Sequence, residues 1–274
     1  MPVTCLKTLT VAKPWGRHSL GFGFADVPAD EDAIGEIWFD AAADTPPELM
    51  VKYLFTSERL SIQVHPHDAE AKARGHRSGK DEVWVVLAAE PGATVALGTV
   101  RPVSREELHT AAMDGTIETL MHWQPVKAGD VIYSPAGTVH AIGAGLTILE
   151  IQQNVDLTYR LYDYGRPREL HLDDGIAVSN PIPFVISKLH ASEEPGLAWH
   201  LSGAKFNLDR WHGVSEKSAT LNVGQSAWFI PLSGSGNIDG KPFAAGECWM
   251  ADTDFQITHC ANADFIIAVP NSAE

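Results

Sequence analysis

The chain has 274 residues, a length that allows one large domain or two small ones with ample core. Its formal net charge of −15 argues against nucleic acid or an anionic membrane surface as a general partner. Three widely spaced cysteines, Cys5, Cys248 and Cys260, argue against a disulfide framework and fit a reducing compartment. Without a leader-like N-terminus or an apolar run of about 18 residues, the sequence predicts a soluble, cytoplasmic protein.

Short strand-like runs dominate the first two-thirds of the chain, and turn residues separate them at short intervals. This spacing is typical of an antiparallel sandwich or barrel rather than of alternating strands and helices. We therefore expect an all-β fold, with strands at residues 36–41, 50–55, 60–65, 82–89, 93–98, 130–135, 146–153 and 158–164.

Two stretches break the β pattern and predict helices. Residues 67–75 should form a short helix with Asp68 as its N-cap. Residues 104–122 should form a helical insertion between strands, in which Ser104 caps the first helix and Glu107 completes a capping box.

The composition changes near residue 180, where NPIPFVISK (180–188) carries two prolines and resembles a linker. Beyond it the chain resumes β character, with hairpins joined by Gly-rich turns. We expect two barrel-like units, residues 1–180 and a smaller unit at 181–274.

The stretch LSIQVHPHD, residues 60–68, has an unusual polar face. Because apolar residues alternate with them along the strand, Ser61, Gln63 and His65 point to one side, and Pro66 ends the strand. Surface strands usually carry Thr, Lys or Glu on the wet face. The Ser-Gln-His face therefore indicates a polar site.

Two later motifs supply partners for that face. Glu82 opens a strongly apolar strand, and residues 129–140 follow the spacing G-x5-P-x-G-x2-H, which ends in His140. In an antiparallel barrel these strand ends could bring Gln63, His65, Glu82 and His140 to one cation. A lone inward histidine is more often a hydrogen-bonded core residue, but the combination is specific. Histidine with a carboxylate suits Zn, Mn, Fe or Co, and the lack of cysteine argues against a closed structural zinc site.

The segments LSIQVHP, GKDEVW, PAGTVHAIG and EIQQNVDLTYRLYD resemble, in this order, the type I phosphomannose isomerases in their short bacterial form, within the cupin superfamily. The resemblance runs from about Lys13 to residues 173–178. It implies two tandem cupin-like jelly-roll barrels, a catalytic unit at 1–180 and a metal-free unit at 181–274. It also implies interconversion of mannose 6-phosphate and fructose 6-phosphate with one bound zinc ion per chain.

The resemblance carries the family's site residues onto this sequence. The zinc ligands fall on the four residues already assembled from the motifs, namely Gln63, His65, Glu82 and His140. Catalytic roles fall on Lys80, Glu150 and Arg160, and substrate binding on Ser61, Lys80 and Arg166. His67 departs from the Asp that is usual in the family, but it lies outside the ligand set.

These residues suit the chemistry of an aldose–ketose isomerase. Because one Glu, one Gln and two neutral His leave a dipositive ion with about +1 charge, the ion would be a strong Lewis acid. Glu150 lies on an apolar strand and is the candidate base, although a salt bridge to Arg160 or Lys80 is the structural alternative. The basic residues would reverse the protein's negative field locally and hold a sugar phosphate.

Two other functions remain open at this level. A cupin oxygenase would use a redox iron, and a non-catalytic sugar-binding cupin would share the fold alone. A glutamine ligand beside Lys and Arg favours a small phosphorylated sugar as the partner. The sequence does not decide between a monomer and a homodimer.

Overall fold

The structure is a computed structural model that describes residues 3–41, 46–186, 189 and 192–271. Strands dominate these ranges, and no described helix is long and apolar enough to cross a membrane. The first twelve strands are β1 (Thr4–Cys5), β2 (Lys7–Arg17), β3 (Ile34–Asp40), β4 (Leu49–Thr56), β5 (Ile62–Val64), β6 (Glu82–Ala89), β7 (Thr94–Thr99), β8 (Met121–Pro125), β9 (Val131–Ser134), β10 (His140–Ile142), β11 (Leu146–Gln153) and β12 (Tyr159–Tyr162).

The remaining strands and the helices complete the described elements. The strands are β13 (Leu197–Ser202), β14 (Phe206–His212), β15 (Lys217–Ala219), β16 (Ala227–Ile238), β17 (Lys241–Ala244), β18 (Trp249–Ala251) and β19 (Phe255–Pro270). The helices are α1 (Asp68–Ala73), α2 (Arg105–Asp114), α3 (Ile117–Leu120) and α4 (Leu172–Val178). The expectation of an all-β chain with a small helical insertion is confirmed.

Two antiparallel sheets face each other in the N-terminal part. One has six strands in the order β2-β3-β4-β11-β6-β9, and the other has five in the order β12-β5-β10-β7-β8. Between them lies an apolar core that includes Leu54 and Trp84 from the first sheet and Leu97 and Ile142 from the second. The polar site occupies the same space between the sheets.

Side chains alternate between the two faces of the six-stranded sheet, and both faces are covered along its central strand β4, whereas β2 is largely exposed. In β4, Lys52 and Leu54 point toward the five-stranded sheet, whereas Tyr53 and Phe55 point away from it. This second face packs against an eight-stranded C-terminal sheet that contains β13, β14, β16, β18 and β19. The shared core is built from aliphatic and aromatic residues, with Trp228 and Phe206 among those that are buried. The C-terminal sheet therefore packs against the face of the six-stranded sheet that is opposite the site.

Local signals in the sequence account for the N-terminal ends of α1 and α2. Ser104 accepts a hydrogen bond from the Glu107 amide and caps α2, as predicted. The Glu107 carboxylate accepts hydrogen bonds from Arg101. In α1 the N-cap is His67, not Asp68, because Asp68 is already helical and the Glu70 carboxylate accepts from the His67 amide. The prediction of Asp68 as the cap is therefore wrong by one residue.

The boundary between the predicted units is less simple than a cut at residue 180. Strand β1, at the start of the chain, pairs with β18 of the C-terminal sheet. The proline-containing stretch also bonds the first unit, since the Thr99 amide donates to the Ile182 carbonyl. Residues 187 and 188 of that stretch lie outside the described residues.

Candidate metal centre and active site

Three strands bring the candidate metal ligands together. His140 of β10 is in register with Gln63 of β5, while Glu82 is the first residue of β6 in the facing sheet. His65 follows directly after β5. One ligand atom each from His65, Glu82 and His140 lies within 4.8 Å of the others, and all three side chains are buried.

Carbonyl oxygens orient both imidazole rings. His65 Nδ1 donates to the Leu157 carbonyl at 2.8 Å, and His140 Nδ1 donates to the Thr138 carbonyl at 2.9 Å. Burial lowers the pKa of both histidines, to about 4 for His65, where nearby Lys80 also lowers it. The rings are therefore neutral, and their Nε2 lone pairs face Glu82, 3.1 Å from His65 and 3.7 Å from His140. This is the tautomer that a metal ligand requires.

Glu82 is held as an anion although it is buried. Burial alone would raise its pKa, but the charge of Lys80, whose Nζ lies 2.7 Å from Oε1, holds the pKa well below its usual range. The Trp84 indole donates to its second oxygen at 3.2 Å. A buried carboxylate that faces two neutral imidazoles fits a divalent cation.

Gln63 completes the donor set. Its Oε1 accepts from Ser61 Oγ at 2.9 Å, and its Nε2 lies 3.3 Å from His140 Nε2. A half-turn of the amide would present Oε1 to the centre and leave the NH₂ group to donate to Ser61. Two imidazoles, a carboxylate and an amide oxygen match zinc in ligand type.

Gly137 is required in the turn that precedes His140. Its φ of +80° favours glycine, and an added Cβ would lie 2.8 Å from His67 Nε2. The Gly137 amide donates to the His65 carbonyl at 2.8 Å, so the turn connects the two histidine-bearing segments. The glycine of the P-x-G-x2-H motif therefore allows the backbone at Gly137 to lie close to the His67 side chain.

A cavity of about 330 Å³ opens beside this cluster. Its lining includes five predicted site residues from both sheets, Ser61, Gln63, Lys80, Glu150 and Arg160. The two histidines and Glu82 do not line the cavity, but Gln63 and Lys80, which do, lie 3.3 Å from His140 and 2.7 Å from Glu82. The cavity thus joins the candidate metal centre to a set of cations and carboxylates.

Glu150 forms an ion pair deep in this cavity. Its Oε1 lies 3.0 Å from Nζ of Lys52, the residue opposite it on β4. Burial raises the pKa of Glu150, Glu82 raises it further, and Lys52 opposes the rise. The ion-pair partner is therefore Lys52, rather than the Arg160 or Lys80 of the structural alternative. The raised pKa brings the carboxylate closer to the range that proton transfer needs.

Known proteins provide an independent comparison, although no protein-family model matches the chain. A mannose-6-phosphate isomerase of Streptococcus mutans is 43% identical over 205 residues, which cover 69% of this chain and 62% of that protein. Mannose-6-phosphate isomerase ManA of Bacillus subtilis is 42% identical over 216 residues, 73% of this chain and 67% of that protein. The chain belongs to the mannose-6-phosphate isomerase family.

The fold of solved members of this family extends over the whole chain. The crystal structure of the Bacillus subtilis mannose 6-phosphate isomerase has a TM-score of 0.82 and 25% identity, covering 98% of this chain and 99% of that one. A structure described as mannose 6-phosphate isomerase, holo and zinc bound, has a TM-score of 0.73 at 14% identity, with both chains covered completely. The family predicted from the sequence motifs is confirmed.

The two predicted arginines differ in position. Arg160 lines the cavity, and its Nη1 donates to the Glu169 carbonyl at 2.6 Å. Arg166 is not among the lining residues; its guanidinium donates to Asp163 at 2.8 Å and to the Arg59 carbonyl. Arg168, which shares Asp163 with it, lines the cavity instead.

Sequence reasoning missed several charged residues of the cavity. Glu36 of β3 accepts from Lys13 at 3.3 Å and from the Trp38 indole, and the Lys52 charge helps to lower its pKa although burial alone would raise it. The available signal was weak, since Lys52 is the single charged residue in the apolar run MVKYLF and Glu36 opens EIWFDA. The interactions of Lys52 with Glu150 and with Glu36 depend on strand order, which the sequence does not specify.

Proposed function

We propose that this protein is an isomerase that interconverts mannose 6-phosphate and fructose 6-phosphate with a bound zinc ion. One observation carries the proposal: the buried His65–Glu82–His140 cluster opens into a cavity lined by Glu150 and several cations, in a member of the mannose-6-phosphate isomerase family. The names of the relatives supply the substrates, and the zinc-bound neighbour supplies the metal.

Gln63, His65, Glu82 and His140 would hold the zinc ion, one per chain. Within the described residues, the cluster of His65, Glu82 and His140 is the one group of three potential ligands close enough to hold a metal. A zinc ion bound there would supply Lewis acidity, which stabilises negative charge on a sugar oxygen as the C2 proton leaves. Ser61 would keep the Gln63 amide in its ligating orientation.

Glu150 is the proposed base that moves the proton between C2 and C1 of the open-chain sugar. It is buried in the cavity, and its pKa lies above the usual carboxylate range. The charge of Lys52 at 3.0 Å opposes that rise and so favours the ionised form. A carboxylate balanced in this way can accept a proton from C2 and return it at C1.

The cations of the cavity would bind the dianionic phosphate and the developing enediolate. Arg160 and Lys80 line the cavity directly, and Arg160 can offer a planar pair of donors. The predicted role of Arg166 in substrate binding would run through Asp163, which also holds Arg168 at the cavity wall. These charges would overcome the negative field of the whole chain locally.

The two-unit description is part of the proposal. We propose that the facing sheets of residues 1–180 form the cupin-like jelly-roll barrel that the sequence resemblance implies, and that residues 181–274 form a second, metal-free unit. The antiparallel pairing of all three sheets supports this view. The free thiols of Cys5, Cys248 and Cys260 support a reducing, cytoplasmic location.

A coupled assay with mannose 6-phosphate tests the proposal. The purified zinc-loaded chain should form fructose 6-phosphate without oxygen uptake. Turnover should be lost in His140→Ala, while Ser104→Ala, which removes the cap of α2 and does not change the cavity lining, should retain it. Oxygen uptake without isomerisation would favour an iron oxygenase, and sugar binding without turnover a non-catalytic cupin; either result would overturn the proposal.

A further inference from the structure

Asp81 is a buried carboxylate next to two residues of the candidate site, Lys80 and Glu82, yet it faces away from the cavity. Its Oδ1 accepts from the Ala136 amide at 3.0 Å, and its Oδ2 accepts from the Tyr133 hydroxyl. Ala136 lies in the turn that leads to His140. One side chain therefore ties the start of β6, with Glu82, to the turn that positions a second candidate ligand.

The backbone of Asp81 is fixed by a second chain of hydrogen bonds. Its amide donates to Gln153 Oε1 at 3.0 Å, and Gln153 Nε2 donates to Asp68 Oδ1 at 3.0 Å. The same Asp68 oxygen accepts from the Gly79 amide at 2.8 Å, so the bonds fix the backbone on both sides of Lys80.

Both chains of hydrogen bonds end on one loop of the C-terminal sheet, residues 203–205 between β13 and β14. The Ala204 amide donates to the Tyr133 hydroxyl at 3.1 Å, and Lys205 Nζ donates to Asp68 at 2.6 Å. Gly203 lies against the Tyr133 ring, where an added Cβ would be 2.5 Å from a ring carbon. The loop thus reaches Asp81 by two separate routes.

We propose that loop 203–205 is a positioning element that acts through Tyr133 and Asp81 to hold Glu82 and the His140 turn at the spacing that zinc requires. The C-terminal unit, which contributes no ligand to the described cluster, would in this way set the metal affinity of the N-terminal unit. Asp81 and Tyr133 are positioning residues, because neither lines the cavity nor belongs to the cluster. The inference rests on the proposed function only in taking zinc as the metal.

Tyr133→Phe is the direct test, because it removes the hydroxyl that bridges Asp81 and Ala204 and keeps the ring in place. Tyr53→Phe is the matched control, since the Tyr53 hydroxyl is buried in the shared core without a hydrogen-bond partner among the described residues. Zinc-loaded protein would be titrated with a chelating dye, and the zinc dissociation constant compared with the thermal unfolding midpoint. Partners that hydrogen-bond a metal ligand directly typically contribute about 10- to 100-fold in metal affinity, and Tyr133 acts one step further from the ligands.

Tyr133→Phe should bind zinc about threefold to tenfold more weakly than the wild type, less than the loss of a direct partner of a ligand, while Tyr53→Phe should keep wild-type affinity. Lys205→Met, which cuts the second route from the same loop, should also weaken zinc binding. Equal zinc affinity in the wild type, Tyr133→Phe and Lys205→Met would overturn the inference, as would an equal loss in Tyr53→Phe. Failure of the proposed function looks different, because the wild type itself would then not bind zinc or not isomerise the sugar.

Discussion

Gln63 is the unusual member of the donor set, since a carboxylate would bind a divalent cation more strongly. It occupies the position on β5 that is in register with His140, and Ser61 holds its amide at 2.9 Å. A neutral ligand here leaves the bound ion with about one unit of positive charge, which suits a Lewis acid. The choice of glutamine therefore concerns reactivity rather than metal affinity.

Gln63→Glu tests this charge argument. The variant should bind zinc at least as tightly as the wild type, because it adds a negative ligand. Its turnover should fall by about tenfold or more, since 1 to 2 kcal/mol at the transition state has that effect. Zinc content and kcat would be measured on the same preparation, and full turnover with zinc bound would contradict the argument.

Glu150→Gln separates proton transfer from binding. The amide keeps the size of the side chain and lies outside the proposed ligand set, so zinc content and substrate affinity should change little. Turnover should fall by roughly two to four orders of magnitude, the usual contribution of a positioned base. Exchange of the substrate C2 hydrogen with deuterated water should fall in proportion, and exchange at the wild-type rate would assign the base to another residue, with Lys80 tested first.

Arg160→Ala should differ from Glu150→Gln, because it should affect substrate binding as well as turnover. Its guanidinium can act on both the phosphate of the bound sugar and the enediolate, so substrate affinity and turnover should both weaken. Steady-state kinetics would show a higher KM together with a lower kcat. A change in kcat alone would place Arg160 on the reacting atoms only.

Residues with a motif around them could be predicted from the sequence, and residues without one could not. The donor set followed from alternation at 60–65 and from the turn spacing before His140. Lys52 was missed because its partner, Glu150, is about a hundred residues away along the chain and becomes its neighbour only through the pairing of β4 with β11. The position of Arg168 in the cavity was likewise hidden, since it depends on the side chain of Asp163.

Secondary-structure elements followed the sequence where patterns were strong. The eight predicted strands all appear, although β5 is limited to Ile62–Val64. Helix α4 was not anticipated, because it has only seven residues, contains Gly175 and begins after His171 rather than after a Ser, Thr, Asp or Asn cap, although Asp173 and Asp174 favour its first turn. Its apolar residues, Ile176 among them, pack in the core beside β12, so tertiary contacts stabilise it.

The ion pair between Asp68 of α1 and Lys205 of loop 203–205 should make the free energy of unfolding depend on pH in the acidic range. Burial alone would raise the pKa of Asp68, but hydrogen bonds from Lys205, Gly79 and Gln153 lower it to about 2. Because the folded pKa lies below the unfolded value of 3.8, this stabilisation is complete above about pH 4 and is lost as pH falls toward 2. Lys205→Met should therefore unfold more easily than the wild type near neutral pH, by less than about 1 kcal/mol for such a partly exposed pair.

Urea unfolding at several pH values checks this prediction. The difference between Lys205→Met and the wild type should shrink as the pH falls toward about 2. Lys241→Met is the control, because Lys241 Nζ donates to the Val3 carbonyl, which does not titrate. A difference that is independent of pH for Lys205→Met would show that Asp68 is not the acid involved.

At the scale of the whole molecule, the six-stranded sheet separates the cavity from the core that it shares with the C-terminal sheet. One face carries Glu36, Lys52 and Glu150 into the cavity and Glu82 to the metal-ligand cluster, and the other buries aromatic and aliphatic residues against the C-terminal sheet. The sequence predicted two units, but it did not indicate that the six-stranded sheet of the first unit packs against the sheet of the second. Alternation along one strand shows that two faces differ without showing what covers each of them.

A fragment that ends at residue 186 tests how far the stability of the six-stranded sheet depends on packing against the C-terminal sheet. It would expose an apolar surface that includes Tyr53, Phe55 and Leu149, which the full chain buries completely. Such a large exposed patch promotes aggregation, so the fragment should be insoluble or should lack a cooperative unfolding transition. Circular dichroism during heating would show this, and a fragment as stable as the full chain would refute it.

Zinc titration of the metal-free chain, with formation of fructose 6-phosphate from mannose 6-phosphate as the readout, tests the central claim most directly. Chelation should abolish turnover, and added zinc should restore it linearly up to one equivalent per chain with no further increase. His140→Ala should show no such breakpoint, because it removes a ligand from the one described cluster. Turnover that survives complete removal of metal, or a breakpoint at two equivalents, would contradict the account.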